Sequence, residues 1–398
     1  MQHYDARFTL ADRQQASQVN SIDLLSHRVG VETFQGDFLW SGSTLPTDSL
    51  LAAFGRLPVP YPLRTGFHYS NLAYLQAGRL IELASGQSWQ QYLRSQVLQP
   101  LGMQQAVTEV KQLPLQHVAQ GHTVQQARVV VVPPDSPLRI AAFGGMYAYV
   151  LDLANWLRVH LHQGRWQQQQ LFPPAAIDRV LQPYNVVGQV PLPDGSRPLT
   201  NYALGWELRD YRHRIVYTHG GAYGGFLSMM ALVPAEQLGL VILTNSDAHE
   251  LCEALRWQII DAFLQHPAAN YSDAISGYLQ TAEAEWRRAE KKLADTVALR
   301  LPTGLPLAAY AGRYRHPLYG AALVSVQSDS TLQIRFQHHP ALQATLQHLD
   351  GHRFWCRYSQ PMFGSTVVPF QAVQGRVQGF ELMVHPSVEF TSYWFKKE

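Results

Sequence analysis

The sequence predicts an α+β protein: a helical lobe with an antiparallel sheet, then a small all-β barrel. Three observations carry this. Amphipathic helical patterns recur between Ser21 and Gly164. Three strand-like runs then follow one another with short links: His213–Gly221, Gly225–Pro234 and Leu238–Asn245. After Pro302 the pattern changes to short alternating strands separated by turn signals. Clustered helices before an antiparallel meander are the mark of segregated layers.

Taken in order, Ser21–Glu32 reads as a short helix with Ser21 as its cap and Gly30 as its stop. Pro46 opens a second helix, ended by Pro58 and Pro60. From Asn71 to Ser85 the residues Leu72, Leu75, Leu80, Ile81 and Leu83 fall mostly on one stripe, and Gly86 ends the run. A further helix opens at Ser88 and stops at Pro100 and Gly102. Ala127–Pro134 is β-branched and predicts a strand, and Leu151–Gly164 predicts an amphipathic helix. Leu251, Leu255, Ile259 and Phe263 mark one side of a helix over Leu251–Leu264. Ala282–Asp295 is charged and reads as a solvated helical connector. The expected division is residues 1–265, a helical linker over 266–303, and a β domain over 304–398.

Composition narrows the function. Of 398 residues, 46% are hydrophobic and 15% charged, ample material for a core and against disorder. Lys plus Arg is 31 against 29 for Asp plus Glu, so no electrostatic case exists for nucleic acid or an anionic membrane. The two cysteines, Cys252 and Cys356, are too few for a disulfide framework and read as buried thiols. No apolar run is long enough to span a bilayer, and the first residues carry no signal-peptide core.

Two short motifs carry chemistry. Tyr69-Ser70-Asn71 stands at the mouth of the Asn71 helix, and His219-Gly220-Gly221 lies in the first strand of the meander. Alone, Tyr69 reads as a half-buried packing residue, Asn71 as a helix cap and His219 as a strand end. In this order, with "GRLIELASGQSW", "YLRSQVLQPLGM", "FGGMYAYVLDLANWL" and "YTHGGAYGGFLSMMALVPAEQLGLVILTN" around them, they carry a resemblance. Residues 15 to 265 resemble the serine β-lactamase and penicillin-binding protein family, in its class C-like branch. "DLLSHRVGV" is similar to that family's opening helix, and the tail from Tyr310 resembles a lipocalin-like β domain.

The resemblance implies acyl-enzyme hydrolysis of a β-lactam, a D-amino-acid peptide or an ester, with no metal or organic cofactor. It implies proton transfer by Tyr69, orientation of the substrate amide by Asn71, and electrostatic support from His219 on an edge strand. Gly220 and Gly221 would let backbone approach the substrate, and the Ala222 N–H would be one oxyanion donor. The family's nucleophile and base form an S-x-x-K motif upstream of Y-x-N. Here the five lysines are Lys111, Lys291, Lys292, Lys396 and Lys397, and none has serine three residues before it. The chain is therefore expected to begin after that motif, and after an N-terminal helix and two strands, and to be catalytically impaired. A misassigned start, a degraded gene or a deliberate truncation would explain this; a selected pseudoenzyme and a substitute nucleophile are the alternatives. As a binding protein it would hold peptidoglycan-like or acyl ligands. A lost N-terminus would take any signal with it, so no compartment follows; an intact parent could be periplasmic. Without its N-terminal partner, Leu238–Asn245 is expected to expose an edge and one face and to favour self-association.

Other candidates have plainer readings. Thr108 and Lys111 have the right spacing but follow Tyr69 in a loop-like stretch. Ser70 should point away from the pair beside it. Ser26-His27 caps or packs a helix. His160 and His162 fall two apart on a helix, facing different ways, with a solvated face as the default. His338-His339 reads as a loop or strand end, and Phe354, Trp355 and Tyr358 as barrel core.

Overall fold

A computed structural model of the chain describes residues 1–398 except 110–111, 114–117, 126–127, 133–140, 193 and 268. Lys111 of the Thr108 pair, and Ala127, Pro133 and Pro134 of the β-branched run, lie outside the described residues.

The helical lobe contains α1 (Arg13–Gln18), α2 (Ser21–Leu25), α3 (Asp37–Trp40), α4 (Thr47–Phe54), α5 (Asn71–Ser85) and α6 (Trp89–Leu93), which runs on into a π-helical turn over Arg94–Leu98. Hairpin β1 (Gly121–Gln125) and β2 (Arg128–Val132) follows, then α7 (Ala141–Gly144), α8 (Val150–Leu161), the short pair β3 (Arg165–Trp166) and β4 (Gln169–Gln170), and α9 (Pro174–Leu181).

Two caps differ from expectation. Asn20, not Ser21, caps α2, through a reciprocal box with Asp23. The helix then ends at Leu25, because His27 takes a left-handed φ of 56°. Ser70, not Asn71, caps α5, its Oγ accepting the Ala73 N–H at 3.2 Å, and Gly86 closes the helix with φ 69°.

Asp23 is a buried hub. It accepts from Arg28 Nε at 2.7 Å, from Arg64 Nε and Nη2 at 2.8 Å each, and from the Asn20 N–H at 3.0 Å. Burial pushes its carboxyl up, but Arg64, the Asn20 N–H and Arg28 outweigh it and hold it below its ordinary 3.8. That stabilisation is present above pH 3.8 and fades as pH falls through the depressed value. Asp23→Asn should cost about 2–3 kcal/mol at pH 7 in urea denaturation, with the deficit shrinking at pH 3.

A six-stranded antiparallel sheet has the order β10-β9-β8-β7-β6-β5, with β5 (Asn185–Gln189), β6 (Leu199–Tyr202), β7 (Glu207–Tyr211), β8 (Arg214–Tyr223), β9 (Phe226–Val233) and β10 (Leu238–Thr244). Among the described residues β10 is an outer strand. Helices contact both of its faces, contrary to expectation, although Leu243 stays exposed. Helix α8 packs on one side, and α10 (Leu251–Phe263) brings Ala254, Trp257 and Ile260 against Val216, Ala231 and Val233 on the other. His160 lies inside rather than on a solvated face. It is 2% exposed, with Nδ1 2.9 Å from the Trp156 carbonyl, because that face of α8 lies on the sheet.

The charged connector is longer than expected: α11 runs from Tyr271 to Ala298. After α12 (Leu307–Tyr310) comes a closed barrel of β11 (Gly312–His316), β12 (Gly320–Ser328), β13 (Thr331–Phe336), β14 (His339–Asp350), β15 (Arg353–Tyr358), β16 (Ser365–Val373), β17 (Arg376–Leu382) and β18 (Tyr393–Lys397). Pairing of Tyr314 with Lys397 closes it. Its interior is filled with rings: Tyr310 meets Phe354 at 5.0 Å, Phe370 meets Phe380 at 5.1 Å, and Phe380 stacks on Phe395 at 5.2 Å. Phe354, Trp355 and Tyr358 are buried, and both cysteines are buried and free. Among the described residues no helix is long and apolar enough to cross a membrane.

Lobe and barrel share one apolar core. Phe38 of α3 enters the barrel mouth between His339, Tyr319, Phe336 and Phe363. The buried Glu389 accepts the Gly36 N–H at 2.6 Å and the Phe38 N–H at 3.1 Å, fastening the start of α3 to the barrel.

Candidate active site

Tyr69-Ser70-Asn71 is held from below by His27. The Ser70 N–H donates to His27 Nδ1 at 3.0 Å. An N–H cannot accept, so Nδ1 offers a lone pair and the ring proton sits on Nε2, 3.2 Å from the Tyr202 hydroxyl. Burial holds this imidazole well below its ordinary value, helped by His219, so the ring is neutral. It lies 4.1 Å from the Tyr69 ring and 5.0 Å from that of Tyr74. The Phe34 N–H donates to the Tyr69 carbonyl at 2.8 Å. Asn71, the first residue of α5, donates through Nδ2 to Asp37 Oδ2 at 2.6 Å, while Trp40 Nε1 donates to Asp37 Oδ1 at 2.9 Å.

His219 lies on β8, opposite Met230 of β9. The strand is interior to the sheet, not its edge. Its pairing with β7 ends at Thr218, however, so His219–Ala222 has a strand partner on one side only among the described residues. Gly220, Gly221 and Ala222 are exposed there. A side chain on Gly221 would stand 2.9 Å from Ser228 Oγ, which is why a small residue fits that register. Burial lowers the His219 imidazole; the Glu207 carboxylate and the Gly220 backbone pull the other way.

Burial pushes the Tyr69 phenol well up, and the negative charges of Asp37 and Glu207 add to it. Glu207 is within electrostatic reach of both Tyr69 and His219, and His27, whose ring lies against Tyr69, is within reach of His219, so the two motifs border one region. The region offers a neutral phenol, a neutral imidazole, a held amide and an open strand edge. That set can receive a carbonyl-bearing chain by hydrogen bonds.

Residues 6–264 match the family model described as Beta-lactamase. The chain belongs to the Beta-lactamase family. Residues 300–397 match a second model, the domain of unknown function DUF3471. The Beta-lactamase-family chain is 30% identical to penicillin-binding protein 4 of Amycolatopsis lactamdurans over 251 residues, 60% of this chain and 62% of that protein. It is 26% identical to an unguisins hydrolase of Aspergillus violaceofuscus over 381 residues, 87% of this chain and 66% of that protein. It thus spans less than two thirds of the length of these curated relatives. Among solved structures, the octameric penicillin-binding protein homologue from Pyrococcus abyssi matches with a TM-score of 0.52 at 17% identity, over 94% of this chain and 77% of that one. A D-stereospecific amidohydrolase from Streptomyces sp. matches with a TM-score of 0.50 at 20% identity, over 62% of this chain and 72% of that one. These likenesses show the Beta-lactamase fold.

Four site residues escaped the sequence reading. His27 packs the lobe, as its sequence position beside α2 implies, and it also orients Ser70. Asp37, Glu207 and Glu389 had no motif to mark them: each reaches the region across a chain separation that only folding closes.

Proposed function

We propose that this cleft binds the carbonyl group of a β-lactam, a D-amino-acid peptide or a small ester, and that these 398 residues turn such substrates over at most residually. The observation that carries the reading is the half-open β8 edge beside His219, within electrostatic reach of the residues around Tyr69. An extended substrate can add to that edge as a strand, with Asn71 and the Ala222 N–H toward its carbonyl. In an intact relative a serine oxygen would attack that carbonyl, the leaving group would depart with a proton, and water would release the acyl group. Here the sequence holds no S-x-x-K, and among the described residues no cation offsets the burial of the Tyr69 phenol, so the phenolate that would take the serine's proton is disfavoured. The same facts support a non-catalytic ligand-binding role.

The test combines a chromogenic β-lactam, a p-nitrophenyl ester and a D-alanyl-D-alanine dipeptide. Expected are no burst, turnover roughly 10³–10⁶-fold below an intact hydrolase, and no covalent adduct by intact mass. Calorimetry should detect binding of at least one probe, weakened by Gly221→Val. A stoichiometric acyl adduct would overturn the impairment; no binding by any probe would overturn the cleft. The outer edge of β10 is proposed to pair with a second copy. Sedimentation should show concentration-dependent association, and a sharp monomer at all concentrations would refute it.

A further inference from the structure

We propose that Asp37 is a positioning residue whose proton decides which end of the Asn71 amide faces the cleft, and that Glu389 of the barrel tunes that proton. The proposal rests on the reading of Asn71 as a substrate-orienting residue. Its physical basis is hydrogen-bond complementarity. An ionised Asp37 only accepts, so Asn71 must turn Nδ2 toward it, as in the observed 2.6 Å contact, and present Oδ1 to the cleft. Oδ1 is an acceptor and meets a substrate carbonyl lone pair to lone pair. A protonated Asp37 donates through Oδ2 to Asn71 Oδ1 after a half-turn of the amide, and the amide N–H groups then face the cleft. Trp40 holds Oδ1 of Asp37 in either state, because Nε1–H only donates.

The surroundings favour the proton. Asp37 is buried, and its carboxyl is raised well above 3.8 by burial and by Glu389, against the pull of Trp40 and Asn71. On the lobe side it faces Trp40, Asn71 and the Tyr69 phenol. On the barrel side Glu389 takes the N–H groups of Gly36 and Phe38, either side of Asp37, and the hydroxyls of Tyr319 and Tyr393. His339 packs on Phe38, and His316 on Tyr319 and Tyr393; burial lowers both to about 4, so both are neutral. Among the described residues neither carboxyl has an ion-pair partner (Arg, Lys or His within 4.0 Å). The charge on Glu389 raises the Asp37 carboxyl, so it bears on the Asp37 proton.

The test follows nitrogen–proton resonances of the full chain between pH 4 and 9. The Trp40 indole N–H, assigned with Trp40→Phe, reports the charge on Asp37. The Asn71 side-chain amide, assigned with Asn71→Ala, reports its orientation. Both should move together, with a midpoint well above 3.8. Asp37→Asn should abolish the transition and fix both signals near their low-pH positions. Glu389→Gln should lower the midpoint by about one pH unit, tenfold in proton affinity. A Trp40 transition without movement of the Asn71 amide would overturn the proposal, as would a midpoint at the ordinary aspartate value. Should Asp37→Asn fail to fold, Glu389→Gln decides, and an unchanged midpoint refutes the coupling. No turnover or substrate enters the measurement, so its failure is distinct from failure of the proposed function.

Discussion

Replacing Phe38 with alanine is expected to destabilise the chain by about 3–5 kcal/mol and to loosen the barrel from the lobe. The ring is 2% exposed and stacks on His339 at 4.4 Å with an 8° tilt. Tyr319, Phe336 and Phe363 stand 5.4, 5.7 and 5.5 Å away. Truncation leaves a ring-sized void where two cores join, and the walls belong to a closed barrel that cannot collapse into it. Urea denaturation followed by tryptophan fluorescence should show a lower midpoint and a single transition broadening or splitting in two. A loss below about 1 kcal/mol with one sharp transition would show that Phe38 does not join the cores.

The second large effect is on pH dependence. Glu389 is fully buried and accepts from Gly36, Phe38, Tyr319 and Tyr393. Burial outweighs those donors and raises its carboxyl from 4.5 to about 7. Because the folded value lies above the unfolded one, the native state holds the proton more tightly. Glu389's contribution is therefore full below pH 4.5 and is lost as pH rises through about 7. Glu389→Gln cannot titrate. The stability of the native chain minus that of this variant should fall by on the order of 3 kcal/mol between pH 4.5 and 7.5. Near pH 5 the variant should still be the weaker by about 1–2 kcal/mol, because its amide NH₂ faces donors. A difference that stays constant across that range would sink the assignment of a raised carboxyl.

Much of the site's local structure was legible. The start of α5 at Asn71 and its end at Gly86 were legible because capping and left-handed closure are local properties, although the cap is Ser70 and not Asn71. The meander was legible because β8, β9 and β10 are joined by short links, although β8 continues to Tyr223 and the first link shrinks to Gly224-Gly225. His160 was misread because its helix pattern does not say how wide a face the sheet covers. The half-open state of β8 was not legible either: it depends on where β7 stops, a matter of register between strands.

The sequence by itself determined where the longer helices lie, though not all of their ends, together with the antiparallel meander, the change to an all-β tail, and the Tyr69–Asn71 and His219–Gly221 motifs. These rest on periodicity, caps and turn chemistry, which act over a few residues. Only the tertiary structure decided that Phe38 plugs the barrel, that His27 carries Ser70, and that Glu389 stands behind Asp37 and Asn71. Those contacts join residues up to 353 positions apart. Their strength comes from burial, which removes water from groups whose residue types alone would place them at the surface.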